Sequence, residues 1–209
     1  AWYSMMGTGE VYAISTCSSA LNFNSTFSVL SGACDSLECL IPGWHVQHDC
    51  PETSYLAGNT LLRTEIGVQY FIAVEPTTYT REGNLLLGNF SLEVSIVEPL
   101  PNDECPGALD IQANNVTIYG TTVNATPSTY FIDSSGFPPG PDVWYRFIGN
   151  DRDTTAYFYS EDNTCIQIFE GDGDSCDQMV NISYWCWANE VNWFAELGVA
   201  YYIQVSSWW

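Results

Sequence analysis

Only two histidines, His45 and His48, occur in the chain, together in Gly43-Trp44-His45-Val46-Gln47-His48-Asp49-Cys50. A serine hydrolase needs a histidine to carry the proton, but no Gly-x-Ser-x-Gly elbow accompanies these two. With Asp49 they form a candidate metal cluster; the competing reading is a polar loop held by Cys50. A second cation candidate is Gly171-Asp172-Gly173-Asp174-Ser175-Cys176-Asp177. Its glycines allow tight turning, and the carboxylates of Asp172, Asp174 and Asp177 would offer hard oxygen ligands suited to calcium. The twelve-residue EF-hand pattern is not completed, so a solvated turn is the alternative. Asn102-Asp103-Glu104 and Asn150-Asp151-Arg152-Asp153 are weaker candidates of the same kind. Trp185, Trp187 and Trp193 are a candidate platform for stacking on glycan rings or on a partner, set against routine use of aromatics in a β core. Lysine is absent, which removes Schiff-base chemistry and P-loop phosphate binding.

The elements that must position these residues are read from an internal repeat. Glu65-Ile66-Gly67-Val68-Gln69-Tyr70-Phe71-Ile72-Ala73-Val74-Glu75 returns as Glu196-Leu197-Gly198-Val199-Ala200-Tyr201-Tyr202-Ile203-Gln204-Val205-Ser206. Upstream, Trp2-Tyr3-Ser4 with Gly7 returns as Trp144-Tyr145-Arg146 with Gly149, and Phe27 to Gly32 returns as Ile166 to Gly171. Tyr70, Ile72 and Val74 are identical to Tyr201, Ile203 and Val205, while the residues between them differ. Period two with one fixed apolar face predicts a half-buried strand. Phe90 to Ile96 alternates in the same way. Short strands separated by clusters such as Pro138-Pro139-Gly140-Pro141-Asp142, without a long amphipathic helix, predict an all-β protein. The expected architecture is two tandem antiparallel jelly-roll-like sandwiches, 1–100 and 101–209, divided near Pro99-Leu100-Pro101.

The formal charge of −21 comes from 25 acids against four arginines. A phosphate backbone would be repelled, so nucleic-acid binding is excluded, and an anionic membrane surface is disfavoured. No apolar run of about 18 residues is present to span a membrane. Cys17, Cys34, Cys39 and Cys50 precede the division and Cys105, Cys165, Cys176 and Cys186 follow it, which predicts two disulfides per domain with the pairing open. Acceptor triplets for N-glycosylation begin at Asn24, Asn89, Asn115, Asn124 and Asn181. Cystines and glycans together predict an extracellular or cell-surface setting. The chain starts at Ala1 directly in a strand-like block and is expected to be a processed or excised portion.

Several of these blocks together resemble the pre-peptidase C-terminal domains of bacteria and their eukaryotic relatives. The likeness is carried by Asn102-Asp103-Glu104-Cys105, Gly120-Thr121-Thr122, Asn124-Ala125-Thr126, and Pro138-Pro139-Gly140-Pro141 leading into Asp142-Val143-Trp144-Tyr145-Arg146-Phe147. It continues through Gly171 and Gly198 to Val205. In the first copy it includes Ser15-Thr16-Cys17, Ser31-Gly32-Ala33-Cys34 and Gly88 to Val94. The resemblance implies a jelly-roll-like sandwich without catalytic residues, attached to secreted enzymes or repeated in surface proteins, with calcium or extracellular polymers as ligands of some relatives.

The first copy lacks an opening Asn-Asp-x-Cys segment, and the second lacks an equivalent of Gly88 to Val94. Open sheet edges are therefore expected, with other copies or flanking modules as partners. The function expected is a non-catalytic structural or adhesive repeat of a surface coat or fibre, needing no cofactor unless calcium. Its alternative is a glycan- or protein-binding accessory module of a secreted hydrolase or protease.

Overall fold

The computed structural model describes residues 1–17, 23–43, 46, 57–77, 88–112, 117–128, 140–157, 164–171, 176, 178–186 and 190–207. The chain forms two compact units, Ala1–Glu98 and Pro99–Trp209. Both are all-β sandwiches.

In the first unit, β1 (Trp2–Met6), β3 (Ser25–Ala33), β4 (Ser36–Ile41) and β6 (Gln69–Pro76) make a four-stranded sheet in the order β1-β6-β3-β4. Facing it, β2 (Val11–Ser15), β5 (Asn59–Arg63) and β7 (Glu93–Val97) make a three-stranded sheet in the order β5-β2-β7. Phe27, Val29, Tyr70, Ile72 and Val74 from one sheet meet Ile14 and Leu62 from the other in a shared core. The alternation seen in the sequence is the reason: Phe27 and Val29 on β3 and Tyr70, Ile72 and Val74 on β6 occupy every second position and point between the sheets.

In the second unit, β8 (Leu109–Ile111), β9 (Asp142–Ile148), β11 (Thr164–Gly171), β12 (Val180–Cys186) and β14 (Ala200–Ser207) form a five-stranded sheet in the order β12-β11-β14-β9-β8. The facing hairpin-like sheet holds β10 (Arg152–Tyr157) and β13 (Glu190–Ala195). Phe147, Ile166, Ile168, Tyr201 and Ile203 pack against Val191 and Ala195 between them. Among the described strands pairing is antiparallel except for β8 beside β9, which is parallel.

Two expectations are corrected. The alternating run at Phe90 forms a strand only from Glu93, and Val94 and Ile96 are exposed on β7, which among the described residues is an edge strand paired with β2 alone. The repeated strand is half-buried only in its first copy. In β14 the second face is covered too: Tyr202, Gln204 and Ser206 are at most 3% exposed, whereas their counterparts Phe71 and Ala73 are half-buried and Glu75 is exposed.

The corner preceding the repeated strand is built identically in both units. Gly67 and Gly198 take φ of 81° and 80°, a left-handed conformation that glycine adopts without steric cost. The amide of Gly7 donates to Val68 O and that of Gly149 to Val199 O, both at 2.8 Å. The Tyr70 hydroxyl accepts from Glu65 N at 2.9 Å, and the Tyr201 hydroxyl from Glu196 N at 3.0 Å. A Cβ on Gly149 would lie 2.0 Å from Glu196 O, a backbone atom fixed by this same corner. Gly149→Ala is therefore expected to destabilise the second unit by roughly 2–4 kcal/mol. Chemical denaturation monitored by circular dichroism checks this; an unchanged midpoint would mean the corner yields.

Candidate interaction surface

The second unit carries a lid over the outer face of its larger sheet. Asn102 donates through Nδ2 to Trp144 O at 3.1 Å and accepts from Trp144 N at 2.9 Å, so it borders β9 like a short strand. Cys105, in the 3-10 turn Cys105–Gly107, is joined by a disulfide to Cys176, with Cα atoms 6.1 Å apart. Under this strap Trp144, Phe169, Ala200 and Tyr202 form a second core that excludes water. Trp144 and Phe169 stack at a centroid distance of 5.5 Å. Asp103 ties the strap to the next segment by accepting from the Thr126 amide and, at 2.8 Å, from the Thr126 hydroxyl. Asn102 and Asp103, read from sequence as weak cation ligands, thus anchor the lid.

That next segment seals a buried carboxyl. Asp142 is fully buried, and its Oδ2 accepts from Ser128 N at 2.8 Å. Gln204 donates to the Ser128 hydroxyl at 2.9 Å, and Asn181 donates to Gln167 Oε1 at 2.6 Å. Burial pushes the Asp142 carboxyl up to about 7, and the charge of Glu104 adds to the rise against hydrogen bonds from Ser128 and Gln204. Sequence reading missed this residue; its only signal is an acid placed directly before the apolar block Val143-Trp144.

At the sheet margin Arg146 makes a bidentate contact to Asp110 on β8, at 2.6 and 3.1 Å. The guanidinium holds the exposed Asp110 carboxyl below its ordinary range.

The cysteines divide unevenly. Cys165 and Cys186 are direct cross-strand partners on β11 and β12, 4.1 Å apart at Cα, and are disulfide-bonded. In the first unit Cys17 is disulfide-bonded, but Cys34 and Cys39 are free and exposed, which corrects the expected second disulfide there. Hairpin geometry is the reason. Cys34 sits in the turn between β3 and β4, while Cys39 lies well along β4 opposite Leu30.

Trp185 and Trp193 do not converge. Trp185 is 56% exposed on β12, whereas Trp193 on β13 turns inward, its ring edge-on to Phe147 at 6.2 Å. Asn89 and Asn124 are exposed; Asn24 and Asn181 are half-buried, and the Asn181 amide nitrogen is the one bonded to Gln167. His45, His48, Asp49, Cys50, Asn115, Asp172, Asp174, Asp177 and Trp187 lie outside the described residues. Among the described residues no three of His, Cys, Asp and Glu converge on a point that would hold a metal, and no helix is long and apolar enough to cross a membrane.

Among the described residues the two units present a pair of complementary unpaired edges. By chain order β1 to β6 correspond to β9 to β14. β9 lies between β14 and β8, but its counterpart β1 pairs among the described residues only with β6. β2 lies between β5 and β7, but its counterpart β10 pairs among the described residues only with β13. No protein-family model, curated protein or solved structure matches the chain.

Proposed function

We propose that this chain is a non-catalytic extracellular glycoprotein, a structural or adhesive repeat of a surface coat or fibre, joined to neighbouring modules by strand addition. The observation that carries this reading is the complementarity of the two edges: each unit holds a strand in the position that the other, among the described residues, leaves open. An unpaired edge offers a row of backbone donors and acceptors, and addition of a strand satisfies them at once. The disulfides support an oxidising setting. The strong negative charge is tolerable outside the cell, where salt and divalent cations screen it.

Electron microscopy of native material tests the proposal. Linear assemblies with a repeat of one module are expected, and a population of dispersed single molecules would overturn it. A second reading, an accessory module of a secreted hydrolase or protease, keeps one observation in its favour: the exposed strip of Val180, Ile182 and Trp185 on edge strand β12. Saturable glycan binding by dispersed molecules would decide for it.

A further inference from the structure

Strand register identifies, residue by residue, what the lid of the second unit covers and what stands at the same places in the first. In the second unit Trp144 lies opposite Gln204, and Tyr202 lies between Arg146 and Phe169. In the first, Trp2 lies opposite Ala73, and Phe71 lies between Ser4 and Leu30. Trp2, Phe71 and Leu30 are thus the counterparts of Trp144, Tyr202 and Phe169. The second set is 0 to 3% exposed. Of the first set, Trp2 is 64% exposed, and Phe71 and Leu30 are half-buried.

The latch has a counterpart as well. Cys176, the lid's disulfide partner, follows Gly171 at the end of β11. Cys34 follows Gly32, the counterpart of Gly171, at the end of β3, and it is free and exposed. The first unit therefore has the aromatic face, the open edge of β1 and the latch cysteine, without a strap across them among its described residues. An exposed tryptophan beside half-buried apolar side chains, on a sheet face that no described segment crosses, is the mark of an interaction site.

We propose that the first unit takes up, over Trp2, Phe71 and Leu30, an extended cysteine-bearing segment of the Pro99–Gln112 kind from a neighbouring module, and that Cys34 locks it by a disulfide. The inference rests on the repeat-unit reading and adds the partner's chemistry and a covalent step. The segment's turn lies over the aromatic face, and its short strand runs parallel to β1 as β8 runs beside β9. The bond forms by thiol–disulfide exchange. The Cys34 thiolate attacks the segment's cysteine sulfur, held as a mixed disulfide with a low-molecular-weight thiol such as glutathione. That sulfur–sulfur bond breaks, the new one forms, and glutathione leaves as the thiolate, which takes up the proton Cys34 released. No further oxidant is consumed.

Cys39 is the internal control. It lies on the same face, opposite Leu30, but has no disulfide counterpart in the second unit, and burial pushes its thiol up, which lowers its thiolate fraction. The test uses the full 209-residue chain and a synthetic peptide of residues 99–112 carrying its cysteine as the glutathione mixed disulfide. Mass spectrometry is expected to find the peptide on Cys34, formed about tenfold or more faster than on Cys39 and than with a peptide of scrambled sequence. Cys34→Ser is expected to abolish the adduct, and Trp2→Ala to slow it towards the scrambled rate. Equal rates for the two peptides, or preferred reaction at Cys39, would overturn the proposal. Both outcomes are read on single molecules, so they are independent of whether native material assembles.

Discussion

Removing the strap disulfide by replacing Cys105 and Cys176 with alanine is expected to lower the stability of the second unit by about 4 kcal/mol and to open the face around Trp144. The bond closes 71 residues, and a loop of that length loses about 4 kcal/mol of denatured-state entropy on cross-linking. Cys165–Cys186 closes only 21 residues between strands already paired, for which the same relation gives about 3 kcal/mol. The local consequence separates the two bonds further. Without its covalent anchor the strap is held by the Asn102 contacts to Trp144 and by Asp103 on Thr126. Amide exchange is therefore expected to accelerate at 102–107 and at Trp144 in the double variant, while β11 and β12 keep their protection. Unfolding curves together with exchange by mass spectrometry measure both effects. An unchanged midpoint with an unchanged exchange pattern would show that the strap is held by packing alone.

Much of this architecture was legible in the residues. Tyr70, Ile72 and Val74 and their copies alternate because one face of a strand must be dry, and period two is visible without coordinates. The repeat's order of blocks likewise carries the strand order. What the alternation could not reveal is a second dry face. Tyr202, Gln204 and Ser206 look like a mixed outer surface, yet they are buried: Tyr202 packs with Cys105 of the strap, and Gln204 donates to Ser128 in the segment beyond it. Burial imposed by a crossing strap leaves no periodic trace in the strand beneath it. The cysteine count misled for a related reason. Four cysteines in each half invite two bonds in each half, but Cys34 matches Cys176, whose partner lies in the opening strap. The tryptophans were ambiguous because Trp185 and Trp193 are close in sequence and lie on different sheets.

Asp142→Asn is expected to stabilise the second unit at pH 8 and to leave it nearly unchanged at pH 4. Asp142 is sealed beneath the Thr126 to Ser128 segment, and its raised value of about 7 compares with 3.8 for an unburied aspartate. Between those values the folded chain keeps the proton and the unfolded chain has lost it. Stability from this group therefore falls as pH rises from about 4 to 7 and is flat above. The full difference is on the order of 4 kcal/mol at pH 8. Asparagine keeps an oxygen to accept from Ser128 N, and its amide supplies a donor beside Asp142 Oδ1 and Gln204 Oε1, buried acceptors for which the described residues provide no donor. Unburied carboxylates elsewhere titrate alike in both proteins, so subtracting the two stability curves isolates Asp142. A difference that grows from pH 4 to pH 7 and then levels is the expected result. A constant difference, or one that shrinks with rising pH, would mean that water reaches this carboxyl and that the seal over Asp142 is open in solution.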